Sequence, residues 1–573
     1  MRSFVLAFAG AALLLAPSVA HARDATVTSF DGTQIVLSFH PAPGGGKAPT
    51  ILEGHGWGGS RQTDPEAKSD EATGNVGVGA LRKAGFNVLT WDSRGFGNSG
   101  GTVTVDAPDK EARDVQALLD WLAQQPEAQL DKAGDPRVGM TGVSYAGGIE
   151  LTTAGIDKRI DAIAPIIAWN SLTTSLYKEQ TVKGGWASAL VAAGIPTSKG
   201  RLDPHVVSAF TSGVSTGKLS DEDRDWFASR GPGDLVKQIT VPTFLVQGTA
   251  DTLFTLDEAI TNYRTIKAGG VPVKMLWFCG GHGVCLTGAG PAGHIEQAVV
   301  AWLTRYVAQN ASVDTGPAFE WLADDAQWRS TSDYPVAPGT PITASGKGTL
   351  VLNPADVASG TIASAGRAVN AVNVPVTATS AQQVVGAPEL TLTYAGTGAG
   401  THVFAQLVDE KRGVVVGNQA TPIPVVLDGQ PHTIKRPLEA VAASAPAGAK
   451  YTLQVIGGTQ LYGPVRGVAS IDFAKIDLSL PTIGAAAVSG GANVLAPTRT
   501  CLSRRVLRIR VRGAHPRVTV GGKRVKVRKG RAVIDLRGKP KGAVKVKVTV
   551  KRMGKTVRET RTYKTCTTKQ AKR

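Results

Sequence analysis

The stretch Val138-Gly139-Met140-Thr141-Gly142-Val143-Ser144-Tyr145-Ala146-Gly147-Gly148 decides the fold. Its first four residues read as a short buried strand, and Gly147-Gly148 opens a segment with Ile149 and Leu151 that can enter a helix. Ser144 then falls at a sharp strand-to-helix turn, which lifts a hydroxyl clear of the backbone so that it can act as a nucleophile. Such a turn needs small neighbours. Gly142 meets that need, and Ala146 is small enough to keep strand and helix close although glycine is the more familiar residue there. A serine among glycines means little in a chain holding 68 Gly, so the reading depends on what lies around it.

Three further segments fall in the order a serine nucleophile requires. Glu53-Gly54-His55-Gly56-Trp57-Gly58-Gly59 follows the apolar strand Thr50-Ile51-Leu52 and is expected to fold over Ser144. The backbone N–H groups of Trp57 and Tyr145 would then form an oxyanion hole, although the loop could also serve only as a glycine-rich turn. Thr243-Phe244-Leu245-Val246-Gln247, bounded by Pro242 and Gly248, suits a buried strand of a parallel sheet, and Asp251 lies just past its carboxyl end. Val273-Lys274-Met275-Leu276-Trp277-Phe278 is the next strand, followed by His282 in a glycine turn. Taken alone, Asp251 could cap a helix and His282 could be a loop residue. Together with Ser144 they supply acid, base and nucleophile. Among the other histidines after Asp251, His294 opens the helical pattern Ile295, Val299, Trp302, Leu303, Tyr306, and His402, His432 and His515 fall in strand-rich sequence.

A chain of 573 residues is too long for one core. Residues 1–22 read as a signal peptide: Arg2, an apolar run through Leu15, and the small-residue site Ala20-His21-Ala22. The mature chain is expected to start at Arg23 and to be secreted or held at the cell envelope. No later stretch is long and apolar enough to span a bilayer. Residues 23–312 alternate strands and helices, the pattern of an α/β doubly wound sheet. Asn87–Trp91 leads into a turn in which Asp92 and Arg94 are expected to tie the backbone, and Val115, Leu118, Leu119 and Leu122 mark one helix face. Residues 170–236 are too long for one crossover helix and are expected to form a helical cap. Trp169, Tyr177, Trp186 and Trp226 either line the pocket beneath it or pack the cap to the body. From 313 to 482 short alternating runs, such as Leu390, Leu392, Tyr394 and Tyr451, Leu453, Val455, predict an antiparallel β-sandwich, and residues 483–498 read as a linker.

These residues carry a resemblance. The elbow Gly142-Val143-Ser144-Tyr145, the segment Gly248-Thr249-Ala250-Asp251-Thr252-Leu253, the cap position, and Gly316-Pro317-Ala318-Phe319-Glu320-Trp321 with Trp328-Arg329 resemble the cocaine esterase and X-Pro dipeptidyl-peptidase family of α/β-hydrolases. Thr421-Pro422-Ile423-Pro424 and Leu427-Asp428-Gly429 resemble that family's C-terminal jelly-roll domain, so the similarity runs from about residue 25 to 482. The resemblance implies triad roles for Ser144, Asp251 and His282 and acyl transfer to water from small-molecule or peptide esters and amides. Family members often place a tyrosine in the early loop, where this chain has His55-Gly56-Trp57, which favours a backbone donor from Trp57.

The tail has no counterpart in that resemblance. From Arg499 to Arg573 there are 27 Lys and Arg against Asp535 and Glu559, a net of +25 in a chain whose total is +18, so the remainder carries −7. Leu507, Ile509 and Val511 alternate with arginines, and Val544, Val546, Val548 and Val550 alternate with Lys545, Lys547, Thr549 and Lys551. That pattern predicts a small β-domain with one apolar and one cationic face. The cationic face is either a solvated surface or a site for an anionic cell-envelope polymer. Few aromatics for stacking, and an exported chain, argue against nucleic acid.

Four cysteines permit three pairings. Cys279 with Cys285 and Cys501 with Cys566 keeps each bond within one domain. A metal held by Cys279, His282 and Cys285 would lack a fourth ligand, and no cofactor is called for. The function expected is an exported serine hydrolase, with ester hydrolysis ahead of X-Pro peptide cleavage. The peptidase reading needs an acidic group in the cap to hold a free amine, and Glu179, Asp203, Glu222 and Asp225 are available. A non-catalytic envelope-binding protein is the reading from another class.

Overall fold

The computed structural model describes residues 22–484, 489–490, 502–503, 506–536, 543–552, 555–564 and 566–567. The signal-peptide reading, most of the linker and the Cys501–Cys566 pairing lie outside the described residues. By contact density the chain divides into two units, Met1–Val494 and Leu495–Arg573.

The first unit begins with β1 (Arg23–Thr28), β2 (Gln34–His40), β3 (Thr50–Gly54), α1 (Val78–Lys83), β4 (Asn87–Trp91) and α2 (Glu111–Leu122). After a short hairpin of β5 (Leu130–Lys132) and β6 (Asp135–Pro136) come β7 (Val138–Val143), α3 (Tyr145–Ile156) and β8 (Ile160–Ile166). Beyond the cap follow β9 (Thr243–Gly248), α8 (Leu256–Ala268), β10 (Val273–Phe278), α9 (His294–Tyr306), β11 (Phe319–Leu322) and β12 (Trp328–Thr331). They assemble in the order β1-β2-β4-β3-β7-β8-β9-β10-β11-β12. Pairing is parallel from β4 through β11 and antiparallel at both edges. The central strands are buried along their whole length because helices cover the sheet. This is why Thr50–Leu52 and Thr243–Gln247 read as continuous apolar runs.

The cap occupies the crossover from β8 to β9 and holds α4 (Leu172–Leu176), α5 (Gly184–Thr197), α6 (Pro204–Thr216) and α7 (Asp221–Ala228). Side chains of Ser171, Asp203 and Ser220 accept N–H bonds at the starts of α4, α6 and α7. Past β12, two antiparallel sheets share one core. One orders Ile342–Leu352, Ala469–Leu480, Glu389–Gly398 and His432–Pro437; the other orders Ala371–Thr377, Lys450–Ile456, His402–Asp409 and Val414–Val415, with Thr421–Pro424 also on His402–Asp409. Leu390, Leu392, Tyr394, Tyr451, Leu453 and Val455 point into that core, while the threonines between Leu390 and Tyr394 are less buried.

The second unit contains a four-stranded sheet, Lys523–Val525, Ala514–Val520, Ala543–Arg552 and Lys555–Lys564, and a three-stranded one, Val506–Arg510, Arg531–Asp535 and Val527–Arg528. Leu507, Ile509, Val511, Val518, Ile534, Val546, Val548 and Val550 form its core.

Candidate active site

Ser144 joins β7 to α3 with φ 57° and ψ −112°. A non-glycine residue held there is strained, and the strain persists because the surroundings over-determine it. The Ser144 N–H donates to the Ile166 carbonyl at 2.8 Å. The elbow is also packed without spare room. A Cβ added at Gly142 would stand 2.5 Å from the Ala146 Cβ, one at Gly54 2.7 Å from it, and one at Gly148 2.3 Å from the Trp169 ring. Ala146 is accommodated because its methyl occupies the space Gly142 and Gly54 leave empty.

Asp251 follows β9 and is fully buried. Its Oδ1 accepts the N–H groups of Leu253 and Phe254 at 3.0 and 2.9 Å. Its Oδ2 lies 2.7 Å from His282 Nδ1, and His282 Nε2 lies 2.7 Å from Ser144 Oγ. A carboxylate only accepts, so Nδ1 carries the proton and Nε2 offers its lone pair to the serine hydroxyl. The glycines around His282 make the approach possible: a Cβ at Gly281 would come within 2.7 Å of Asp251 and one at Gly283 within 1.9 Å of the Ala250 carbonyl. Phe254 and Trp186 meet the imidazole edge-on at 5.1 and 5.9 Å. Cys279 and Cys285 are disulfide-bonded across the histidine loop, so their sulfurs are not free as ligands.

The His55-Gly56-Trp57 loop lies beside Ser144: a Cβ at Gly56 would be 3.9 Å from the Ser144 Cβ. His55 braces this loop. Its Nε2 accepts the Ser93 N–H at 3.0 Å, so Nδ1 donates to the Gly56 carbonyl at 2.8 Å, and burial lowers its pKa and keeps it neutral. Trp57 Nε1 donates to the Leu190 carbonyl of α5 at 2.8 Å, and its ring packs on Phe96 and Tyr145. The Tyr145 N–H belongs to the first turn of α3, where no intrahelical acceptor exists.

A cavity of about 90 Å³ opens from Ser144 under the cap. Trp57, Val105, Trp169, Leu172, Leu176, Tyr177, Leu190, Val191, Val206, Phe210, Leu253 and Phe254 are among its walls, and among the described residues no charged one lines it. Trp169 and Tyr177 thus reach the cavity. Trp186 instead sits over His282 and donates to Thr252 Oγ1, and Trp226 stacks on His205 beneath Arg230. The cap acids lie elsewhere. Glu179 pairs with Arg436, Asp203 caps α6, and Glu222 and Asp225 are exposed on α7.

Asp92 binds the Arg61 and Asn98 backbone and the Arg61 guanidinium, and Arg94 is clamped by Asp114 and Asp31. His294 is held by Glu320 and stacks on Trp328.

Residues 31–284 match the family model described as X-Pro dipeptidyl-peptidase (S15 family). The chain carries an S15-family domain. The match covers less than half of the chain. The Putative Xaa-Pro dipeptidyl-peptidase of Rhodopirellula baltica is 24% identical over 278 residues, 44% of this chain and 42% of that protein. An uncharacterized 31.7 kDa protein from the traX-finO intergenic region of Escherichia coli is 28% identical over 135 residues, 24% of this chain and 42% of that protein. The chain thus spans well under half the length of these curated relatives. Among solved structures, a Staphylococcus aureus CocE/NonD family hydrolase superposes with TM-score 0.59 at 13% identity, covering 80% of this chain and 93% of that one. An aminopeptidase from a marine sediment Thaumarchaeota archaeon gives 0.60 at 13%, covering 83% and 99%. An alpha-amino acid ester hydrolase gives 0.58 at 13%, covering 82% and 98%. These likenesses establish the fold.

The Ser144, Asp251 and His282 cluster has supports that the sequence does not announce. Gln419 Nε2 donates to the Asp251 carbonyl at 2.7 Å, and Asn418 Nδ2 donates to the Val284 carbonyl at 2.8 Å. Lys183, buried in the cap, donates from Nζ to the Thr252 and Leu253 carbonyls at 2.8 and 2.9 Å. Burial pulls the Lys183 pKa down to about 8, against the opposing pull of Glu439. No local motif marks these positions, because their roles come from chain segments that meet only in the folded protein.

Proposed function

We propose that this chain hydrolyses uncharged carboxylic esters through an acyl-enzyme on Ser144. Ser144 Oγ attacks the ester carbonyl while His282 Nε2 takes the hydroxyl proton, and Asp251 orients the imidazole and stabilises its charge. The backbone N–H groups of Tyr145 and Trp57 receive the developing oxyanion. Collapse expels the alcohol, which takes the proton from His282. A water then enters by the same steps in reverse order and releases the acid.

The observation that carries the ester reading is the apolar cavity beside Ser144. An X-Pro peptide must place a free ammonium near the nucleophile, and an unpaired charge in an apolar wall costs several kcal/mol. The second reading, X-Pro dipeptide release, is favoured by the family match. A panel of p-nitrophenyl esters beside Gly-Pro-p-nitroanilide decides between them. The ester reading expects kcat/KM on the butyrate ester to exceed that on the anilide by orders of magnitude, and the reverse ranking defeats it.

The reading extends to an exported enzyme built as a hydrolase, cap and jelly roll, with the basic C-terminal domain holding it on an anionic envelope polymer. Arg2, the apolar run and Ala20-His21-Ala22 support export. Among the described residues no helix is long and apolar enough to cross a membrane.

A further inference from the structure

In the second unit, the strand Ala543–Arg552 turns Val546, Val548 and Val550 into the core, so Lys545, Lys547, Thr549 and Lys551 face away from it. Register then fixes which residues share that outer face, since directly paired antiparallel residues point to the same side. Lys545 pairs with Thr562, Lys547 with Thr560, Thr549 with Arg558 and Lys551 with Thr556. On the other flank Thr519 pairs with Lys547 and Arg517 with Thr549, and Arg524 pairs with Thr519.

The result is a checkerboard. Reading across the sheet, one row runs Arg524, Thr519, Lys547, Thr560, and the next runs Arg517, Thr549, Arg558. Every cation named stands beside a hydroxyl and none stands directly opposite another cation. Rows of this kind lie about 7 Å apart along the strands, with neighbours about 5 Å apart across them. All six cations are exposed. Among the described residues this face carries no acid: Glu559 pairs with Val548 and so lies on the inner side, where it meets Arg561. It carries no Phe, Tyr or Trp ring either, since Tyr563 pairs with Val544 and packs against the core. The three-stranded sheet differs. Its outer face mixes Arg508, Arg510, Arg528 and Arg531 with Val506, Val533 and Asp535.

We propose that this outer face binds a linear phosphodiester polymer without stacking bases, of the poly(alditol phosphate) kind. Each phosphodiester carries one charge and two free oxygens, and the lattice offers a cation with a hydroxyl donor next to it. Alternation spreads the positive charge over an area without placing like charges opposite one another, which would weaken the sheet. The absence of aromatic platforms removes the feature by which single-stranded nucleic acid is held. This deepens the reading that the basic domain positions the enzyme, and it is independent of the chemistry at Ser144.

The test uses the full chain and purified, deacylated poly(glycerol phosphate), with binding followed by fluorescence anisotropy across a salt series. The variant K545Q/K547Q/R517Q/R558Q is compared with R508Q/R510Q/R528Q/R531Q, which removes equal charge from the other sheet. The first should bind at least tenfold more weakly and flatten the log K against log salt slope by roughly 3, about 0.7 per lost cation. The second should change affinity less than threefold. K545R/K547R should bind as the unchanged protein does, ester hydrolysis should be equal in all, and equal hydrogen-exchange protection of the Ala543–Arg552 amides in all controls for folding of the second unit. Equal losses in the two quadruple variants would mean that net charge alone acts and would overturn the lattice. Equal or tighter binding of an oligothymidylate or of polygalacturonate would overturn the phosphodiester assignment, and no binding by the unchanged protein at low salt would remove the positioning role altogether.

Discussion

Gln419 reaches Asp251 from 168 residues further along the chain, and its side-chain amide donates to the aspartate's own carbonyl at 2.7 Å. Its neighbour Asn418 holds the Val284 carbonyl in the loop that carries His282. One short segment of the β-sheet region therefore fastens both the Asp251 loop and the His282 loop. Gln419→Leu should leave the buried carbonyl unsatisfied and cost about 1–3 kcal/mol of stability. Because the carboxylate also shifts, kcat on a small ester should fall several-fold while KM stays near its original value. Denaturant unfolding and steady-state kinetics on the same preparation check this; an unchanged kcat would reduce Gln419 to a packing role.

The disulfide should matter for the same reason. The Cys279–Cys285 bond closes a short loop around His282, which limits the conformations the imidazole can visit. Cys279→Ser with Cys285→Ser should lower kcat by about tenfold, the order expected of a small misplacement of a catalytic group, with a smaller effect on KM. Global unfolding should remain cooperative. Retention of full kcat in the double variant would contradict a positioning role.

Glu53, at the end of β3 just before the His55 loop, supplies a pH test. Burial raises its carboxyl pKa to about 8, and Asn75 compensates only in part. Below its ordinary pKa near 4.5 the group is protonated in folded and unfolded chains alike. Between there and about 8 the folded protein holds a proton the unfolded chain has released, so stability falls as pH rises through that window. Glu53→Gln keeps the shape and removes the titration. A tenfold difference in proton affinity between the folded and unfolded chains is worth about 1.4 kcal/mol, so the variant should be more stable than the parent at pH 8 by at least about that much, and nearly equal to it at pH 4. Calorimetry or urea unfolding at the two pH values decides it; equal differences at both would refute the buried-acid account.

The apolar cavity makes a prediction about chain length. Leu176 lines it beside Ser144 and Phe210. In the parent protein, kcat/KM should rise from p-nitrophenyl acetate to the butyrate as added methylenes leave water, each worth up to about 0.8 kcal/mol. Leu176→Glu should abolish that rise while sparing acetate relatively. If the butyrate-to-acetate ratio is unaltered by the substitution, the acyl chain goes elsewhere.

How much of this was legible beforehand follows from locality. Ser144, Asp251 and His282 could be read because each stands directly after a buried strand, and the order of strands, glycines and polar residues is written along the chain. The cap could be placed because residues 170–236 exceed what one crossover needs, and the structure puts four helices there. The alternation of Leu390, Leu392 and Tyr394 gave away a half-buried strand. What could not be read is set by contacts between distant segments. Nothing near Gln419 says that it meets Asp251, and nothing near Lys183 says that its ammonium caps the Thr252 and Leu253 carbonyls. Trp169, Tyr177, Trp186 and Trp226 look alike in sequence, yet of these only Trp169 and Tyr177, which flank α4, reach the cavity, while Trp186 on α5 meets His282 and Trp226 on α7 meets His205. Glu179, Asp203, Glu222 and Asp225 are likewise absent from the cavity's walls.

The central claim, that Ser144 is the nucleophile activated by His282, is tested most directly by fluorophosphonate labelling of the full chain followed by peptide mass spectrometry. The account predicts one stoichiometric adduct on the peptide containing Ser144, abolished in Ser144→Ala and slowed by orders of magnitude in His282→Ala, with ester turnover lost in parallel by a factor of about 10⁴ or more. An adduct on a different serine, or full ester turnover by Ser144→Ala, would contradict it.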